Sequence, residues 1–168
     1  MTRVDEVPVV HTPPGGFGNT FPAPFLGGCL DPLVPGAPDL RGLWEVVEVE
    51  VDGEIVPSHP AQGHLERIEQ AADRMIVTGG GVIHDMRCDG TEQNGVHDVA
   101  QIDPDRRIVV VATYENAVHV LRPVGIPVEV TRRLEGDDLI WRYIGFTARL
   151  TKLGPPETEP PDRTRPFH

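Results

Sequence analysis

Between Asp39 and Leu153 the chain is divided, at nearly even intervals, into short runs rich in β-branched and aromatic residues, each ended by turn-forming residues. That punctuation constrains the fold more than any other feature, because no segment is long and periodic enough for an amphipathic helix. Leu43–Val51 ends at Asp52-Gly53, Leu65–Gln70 and Arg74–Thr78 flank Ala71–Asp73, and Gly81–Cys88 precedes the polar Asp89–Asn94. Gly95–Ile102 and Arg107–Tyr114 flank Asp103-Pro104-Asp105, where proline suits the second position of a type I turn. Ala117–Arg122 follows Glu115-Asn116, Pro127–Leu134 and Leu139–Ile144 flank Glu135–Asp138, and Phe146–Leu153 closes the series. Strands joined by hairpins make a meander, and a long meander removes its unpaired edges most simply by closing on itself. The expectation is an all-β fold, a closed up-and-down antiparallel barrel of about ten strands over residues 39–153. A two-sheet sandwich is the alternative.

The flanks differ from the centre. Residues 1–40 carry eight of the 18 prolines, which removes backbone donors and disfavours regular structure. Yet Phe17, Phe21, Phe25, Leu26, Leu30, Leu33 and Val34 are too apolar for a solvated linker. Residues 1–38 are therefore expected to form an irregular arm lying on the barrel or on a partner subunit. The tail, residues 154–168, is polar and proline-rich and is expected to be disordered. A net charge of −11 argues against nucleic-acid or anionic-membrane partners, which require clustered Lys and Arg. No apolar run reaches the roughly 18 residues of a membrane span. The first residues lack the charged start and apolar stretch of a secretion signal, so a cytoplasmic location is expected. Two cysteines, Cys29 and Cys88, are too few for a disulfide framework and are expected to be reduced thiols.

Gly42-Leu43-Trp44 opens the first strand, and Arg149 lies in the last. In this arrangement the chain resembles the calycins, the superfamily of lipocalins and fatty-acid-binding proteins. There, glycine allows close backbone approach and the indole plugs the narrow end of the barrel, with its N–H needing a partner. The resemblance implies that Arg149 packs over the Trp44 ring as a cation–π contact. Ala112–Val118 is similar to the second lipocalin motif, without its aspartate. Val130–Trp141 resembles the last turn but one of fatty-acid-binding proteins, but Thr151 stands where their carboxylate-binding tyrosine would be. Glu54–Gly63, with Pro57 and Pro60, is too short for the usual helical lid. What the resemblance implies is a cavity for a small lipophilic ligand.

Strand periodicity of two gives provisional faces. With Trp44 inward, Val46 and Glu48 follow it, while Leu43, Val47, Val49 and Val51 face outward. An apolar outer face of that kind needs a cover, which suggests a homodimer. His84 and His97, each followed by aspartate on neighbouring strands, are candidate general bases if the protein is an enzyme. His84, His97 and His119 could converge on a metal, but no short ligand spacing supports it, and no metal or cofactor is expected. His59 and His64, in a proline-bearing loop, are read as surface residues. Of the late-strand arginines Arg122, Arg132 and Arg142, an inward-facing one would be a ready polar clamp. The ligand-binding candidates are Trp44, His84, His119, Arg132, Trp141, Tyr143 and Arg149. The favoured function is a carrier or sensor of a small, mostly apolar molecule. The alternatives are a small acid–base enzyme (isomerase, cyclase or hydratase) acting on such a ligand, and a haem or metal binder.

Overall fold

A computed structural model describes residues 2–101, 103 and 105–161. Eleven strands follow the expected punctuation: β1 (Gly42–Val51), β2 (Glu54–Ile55), β3 (Leu65–Ala71), β4 (Arg74–Gly79), β5 (Val82–Arg87), β6 (Val96–Val99), β7 (Arg107–Glu115), β8 (Val118–Pro123), β9 (Val130–Glu135), β10 (Asp138–Tyr143) and β11 (Phe146–Gly154). Ten of them form one antiparallel sheet in the order β5-β4-β3-β1-β11-β10-β9-β8-β7-β6, and the two-residue β2 pairs with β1. The sheet curls into a nearly closed barrel whose seam lies between β5 and β6. No helix among the described residues is long and apolar enough to cross a membrane.

One end of the barrel is sealed as the glycine-tryptophan pattern requires. Trp44 is 2% exposed, and its indole N–H donates to the Leu40 carbonyl at 2.9 Å. A side chain at Gly42 would crowd Trp44 Nε1 at 3.0 Å and the Gly154 carbonyl at 3.2 Å, so glycine eases the close approach of the last strand to the ring. The residue opposite Trp44 on β11 is Lys152. The other end, formed by the loops after β2, β4, β6, β8 and β10, is the mouth.

The face assignment needs correction beyond Val46. The β1–β11 register slips between Val46 and Glu48, a bulge that adds one residue and turns the remainder of β1 over. Val49 therefore joins the core fully buried and Val51 packs against it, while Glu48 turns outward. Leu43 is also fully buried, leaving Val47, at 46% exposed, as the one outward apolar residue of the four. The uncovered face that suggested a homodimer is thus largely covered within the chain. Arg149 is opposite Glu48 and lies between the inward Ala148 and Leu150, so alternation directs it outward. There it pairs with Glu135, Asp138 and Glu48, away from the Trp44 ring.

Strands β3 and β4 are buried on both faces because the N-terminal residues lie across their outside. Val4 and Leu26 pack on Ala71, Ile76 and Ile83, joined by Val7, Val10, Phe17 and Phe25. This apolar contact is anchored by a buried ion pair: Arg74 donates to both carboxylate oxygens of Asp85 at 2.9 and 2.6 Å. Arg74 also donates to the carbonyls of Val4, Val7 and Pro8, and the Val10 amide donates to Asp85. Further along, Thr12 straddles the seam. Its hydroxyl exchanges hydrogen bonds with the Ile83 backbone on β5, and its amide donates to Asp98 on β6 at 2.9 Å. At the opposite end of the chain, the Pro156 carbonyl accepts from Arg67 at 3.0 Å. The expected disorder of residues 162–168 falls outside the described residues.

Arg74→Met strands a buried carboxylate and releases the arm, so it should cost about 3–5 kcal/mol of unfolding free energy in urea titration. Arg87→Met, which removes partly exposed pairs with Asp5 and Asp73, should cost less than about 1 kcal/mol in the same assay.

Candidate functional site

The inward residues do not fill the barrel from end to end. Near the mouth they leave a cavity of about 260 Å³. Its walls are Val77, Met86, Val96, Ile108, Val110, Leu121, Pro123 and Val130, with Ile126 and Ile144 from the mouth loops. Polar groups reach it from His84, Gln101, Asp103, Arg106, Arg132 and Tyr143. An apolar wall with a few convergent polar groups is the usual composition of a small-molecule pocket, and this one is at the small end of the usual size range.

Beneath the cavity is a polar layer. Glu66 is 0% exposed, and its Oε1 accepts from Arg132 Nε at 2.7 Å across the lumen, from β3 to β9. Its Oε2 lies 3.1 Å from His64 Nε2, and the Gln101 amide nitrogen is 3.3 Å from the same ring nitrogen. Burial alone would push the Glu66 carboxyl upward, but the Arg132 charge and the His64 hydrogen bond outweigh it and hold the group down to about 2. The Arg132 guanidinium lies over the Trp141 ring at 5.2 Å, and His64 packs on the same indole at 5.5 Å. His119, opposite Arg132 in register, is 0% exposed. Neither of its ring nitrogens has a hydrogen-bond partner among the described residues. Burial, reinforced by the Arg132 charge, takes its pKa down to about 3, so it is a neutral imidazole at physiological pH.

His84 stands where β5 meets β6. Its Nε2 is 2.8 Å from the Val99 carbonyl, which fixes Nε2 as the protonated nitrogen and leaves the Nδ1 lone pair available. Desolvation lowers its pKa despite that hydrogen bond and the nearby Asp98 carboxylate. His84 lines the cavity and Asp85 points to the outer face, as alternation along one strand requires.

The sequence candidates therefore separate into three groups. His84, Arg132 and Tyr143 line the cavity; His119 and Trp141 are buried with Arg132 in the layer below. Trp44 is at the sealed base and Arg149 on the outer surface. His97 is exposed, with Nε2 against the Glu92 carbonyl, so the structure does not bring His84, His97 and His119 together. No group of three or more His, Cys, Asp or Glu side chains among the described residues could hold a metal ion. Arg122 pairs outside with Glu115 and Glu129, and Arg142 is exposed. Cys29 and Cys88 are both free thiols, and burial pushes Cys88 up to about 12.

Sequence reasoning missed Glu66 and read His64 as a surface residue. Two residues apart on an extended chain, they share a face, and that spacing was the available sign. The sign was obscured because Leu65–Ala71 carries polar residues at four of its seven positions, with no alternation, yet is buried throughout. Compared with known proteins, the chain matches no family model, and no curated protein is significantly similar to it. The architecture, a nearly closed barrel of ten antiparallel strands with β2 attached at its side, is compatible with a calycin-like fold.

Because the folded protein refuses a proton at His119 that the unfolded chain accepts, stability is full above about pH 6.5 and falls as pH drops toward 3. His84 acts in the same direction, and Glu66 extends the loss below pH 4.5. Each such group contributes a slope of up to about 1.4 kcal/mol per pH unit. Urea titrations between pH 7.5 and 5 should show this decline. In His119→Phe it should be shallower by about one proton's slope.

Proposed function

We propose that the barrel binds a small, mostly apolar molecule at its mouth and acts as a carrier or sensor of it. The observation that carries this reading is the partly enclosed cavity of about 260 Å³, apolar on its walls and polar at a few points. The glycine-tryptophan closure of the opposite end and the ten-strand sheet support placing the chain with the calycins, whose barrels hold ligands in this position. The small volume favours a compact molecule over a long acyl chain.

A second reading has its own support. His84 presents a neutral imidazole with a fixed tautomer to an apolar cavity, which is what proton abstraction next to a carbonyl requires. On this reading Arg132 would face the developing oxyanion.

Calorimetric titration with ethylbenzene should give saturable binding, and Val130→Trp, which fills the cavity, should weaken it by at least about tenfold without lowering the thermal midpoint. Unchanged affinity in that variant would place the ligand elsewhere. For the second reading, the methyl protons of acetophenone should exchange in D₂O faster with the protein than in buffer, as followed by NMR. His84→Ala should abolish the excess while leaving acetophenone affinity intact; no excess exchange leaves the carrier reading in place.

A further inference from the structure

The polar layer under the cavity contains donors that the protein leaves without partners. Arg132 is 3% exposed and lines the cavity floor. Its Nε is engaged by Glu66, while its Nη1 is buried and finds no hydrogen-bond partner among the described residues. Directly opposite on β8, both ring nitrogens of the fully buried His119 are also unpartnered, with the Tyr114 ring at 5.9 Å on its other side. Buried polar groups are nearly always paired, and a guanidinium N–H is among the costlier groups to leave unpaired. Two such side chains paired across adjacent strands, one of them facing the cavity, define a place where a ligand oxygen would be held.

The chemistry of that oxygen follows from the surroundings. Arginine has donors only, so its partner must be an acceptor. The charge of Arg132 is already offset by the Glu66 carboxylate 2.7 Å away, so a second carboxylate there would put a like charge beside a fully buried one. Val110, Leu121 and Val130 give the rest of the molecule an apolar surround, and the other polar groups on the lining, His84, Gln101, Asp103, Arg106 and Tyr143, include one carboxylate beside one further guanidinium. Resting on the reading that the cavity holds a ligand, we propose that this ligand is an apolar molecule with one neutral carbonyl oxygen, directed at Arg132 Nη1 and flanked by His119. The subsite selects ketones, aldehydes or esters over both hydrocarbons and carboxylates.

Three probes of similar shape test this on the intact protein: ethylbenzene, acetophenone and benzoate, titrated calorimetrically at pH 7.5. Bound acetophenone should show its carbonyl stretch below the frequency seen in hydrocarbon solvent, and benzoate should bind more weakly than acetophenone. Replacing both members of the ion pair, Glu66→Gln with Arg132→Met, removes the donor without stranding a charge. In that variant the affinity ratio of acetophenone to ethylbenzene should fall about tenfold, the worth of one charge-assisted hydrogen bond. A carbonyl band at its hydrocarbon position in the unaltered protein overturns the subsite even if the variant does not fold. An unchanged ratio in a folded variant does the same, and in both cases ethylbenzene binding leaves the cavity reading standing. Benzoate binding tighter than acetophenone overturns the neutral assignment. If none of the three binds, the cavity reading fails and the subsite with it.

Discussion

A carboxylate buried at the centre of a β-barrel must be matched by an opposite charge or it will not remain ionised. Glu66 meets that demand through Arg132, and much of the interior is arranged around the pair. It ties β3 to β9, residues 66 apart in sequence, across the lumen. The remaining carboxylate oxygen engages His64, and the guanidinium is stacked on Trp141, so one interaction sets the places of two more side chains. Below this layer the barrel is packed, down to Trp44. Above it, toward the mouth, the inward side chains leave a cavity. The pair thus marks the depth of the cavity.

The outer surface is organised by a different constraint, the need to close a ten-strand sheet whose terminal strands do not form a full ladder. Its seam is held by separate devices along its length. Near the base, the Arg87 amide donates to the Asn94 carbonyl at 2.7 Å. Toward the mouth, the His84 ring reaches the Val99 carbonyl, and Thr12 joins Ile83 to Asp98 from outside. The N-terminal residues are therefore part of the barrel's wall, and the buried Arg74–Asp85 pair is what directs them there. Because His84 belongs both to the seam and to the cavity, the closure of the barrel and the chemistry of its lumen are coupled through one side chain.

The strands were legible in the sequence because their limits are local. Asp52 and Gly53 adopt the left-handed backbone of a tight hairpin, as their side chains allow, and the turn falls where the residues put it. Trp44 was legible for a similar reason, since glycine two residues earlier and an indole that must be buried leave little choice of environment. The late-strand arginines were ambiguous, because Arg122, Arg132 and Arg142 look alike until register assigns each a face. Arg149 was placed over Trp44 by the resemblance alone, against the alternation of its own strand, whereas Glu48, Val49 and Val51 were misplaced by the bulge at Val46–Glu48, an insertion of one residue that no composition or period announces.

The sequence by itself determined the class of fold, the number of strands and the sealed end, because turn chemistry and strand periodicity act between near neighbours. Only the tertiary structure decided which polar residues face the lumen, where the solid core stops, and how the seam is closed. Those features rest on contacts between residues far apart in the chain, Glu66 with Arg132 and Arg74 with the N-terminal carbonyls, whose energies depend on burial. Burial belongs to the assembled barrel, and no short stretch of sequence contains it.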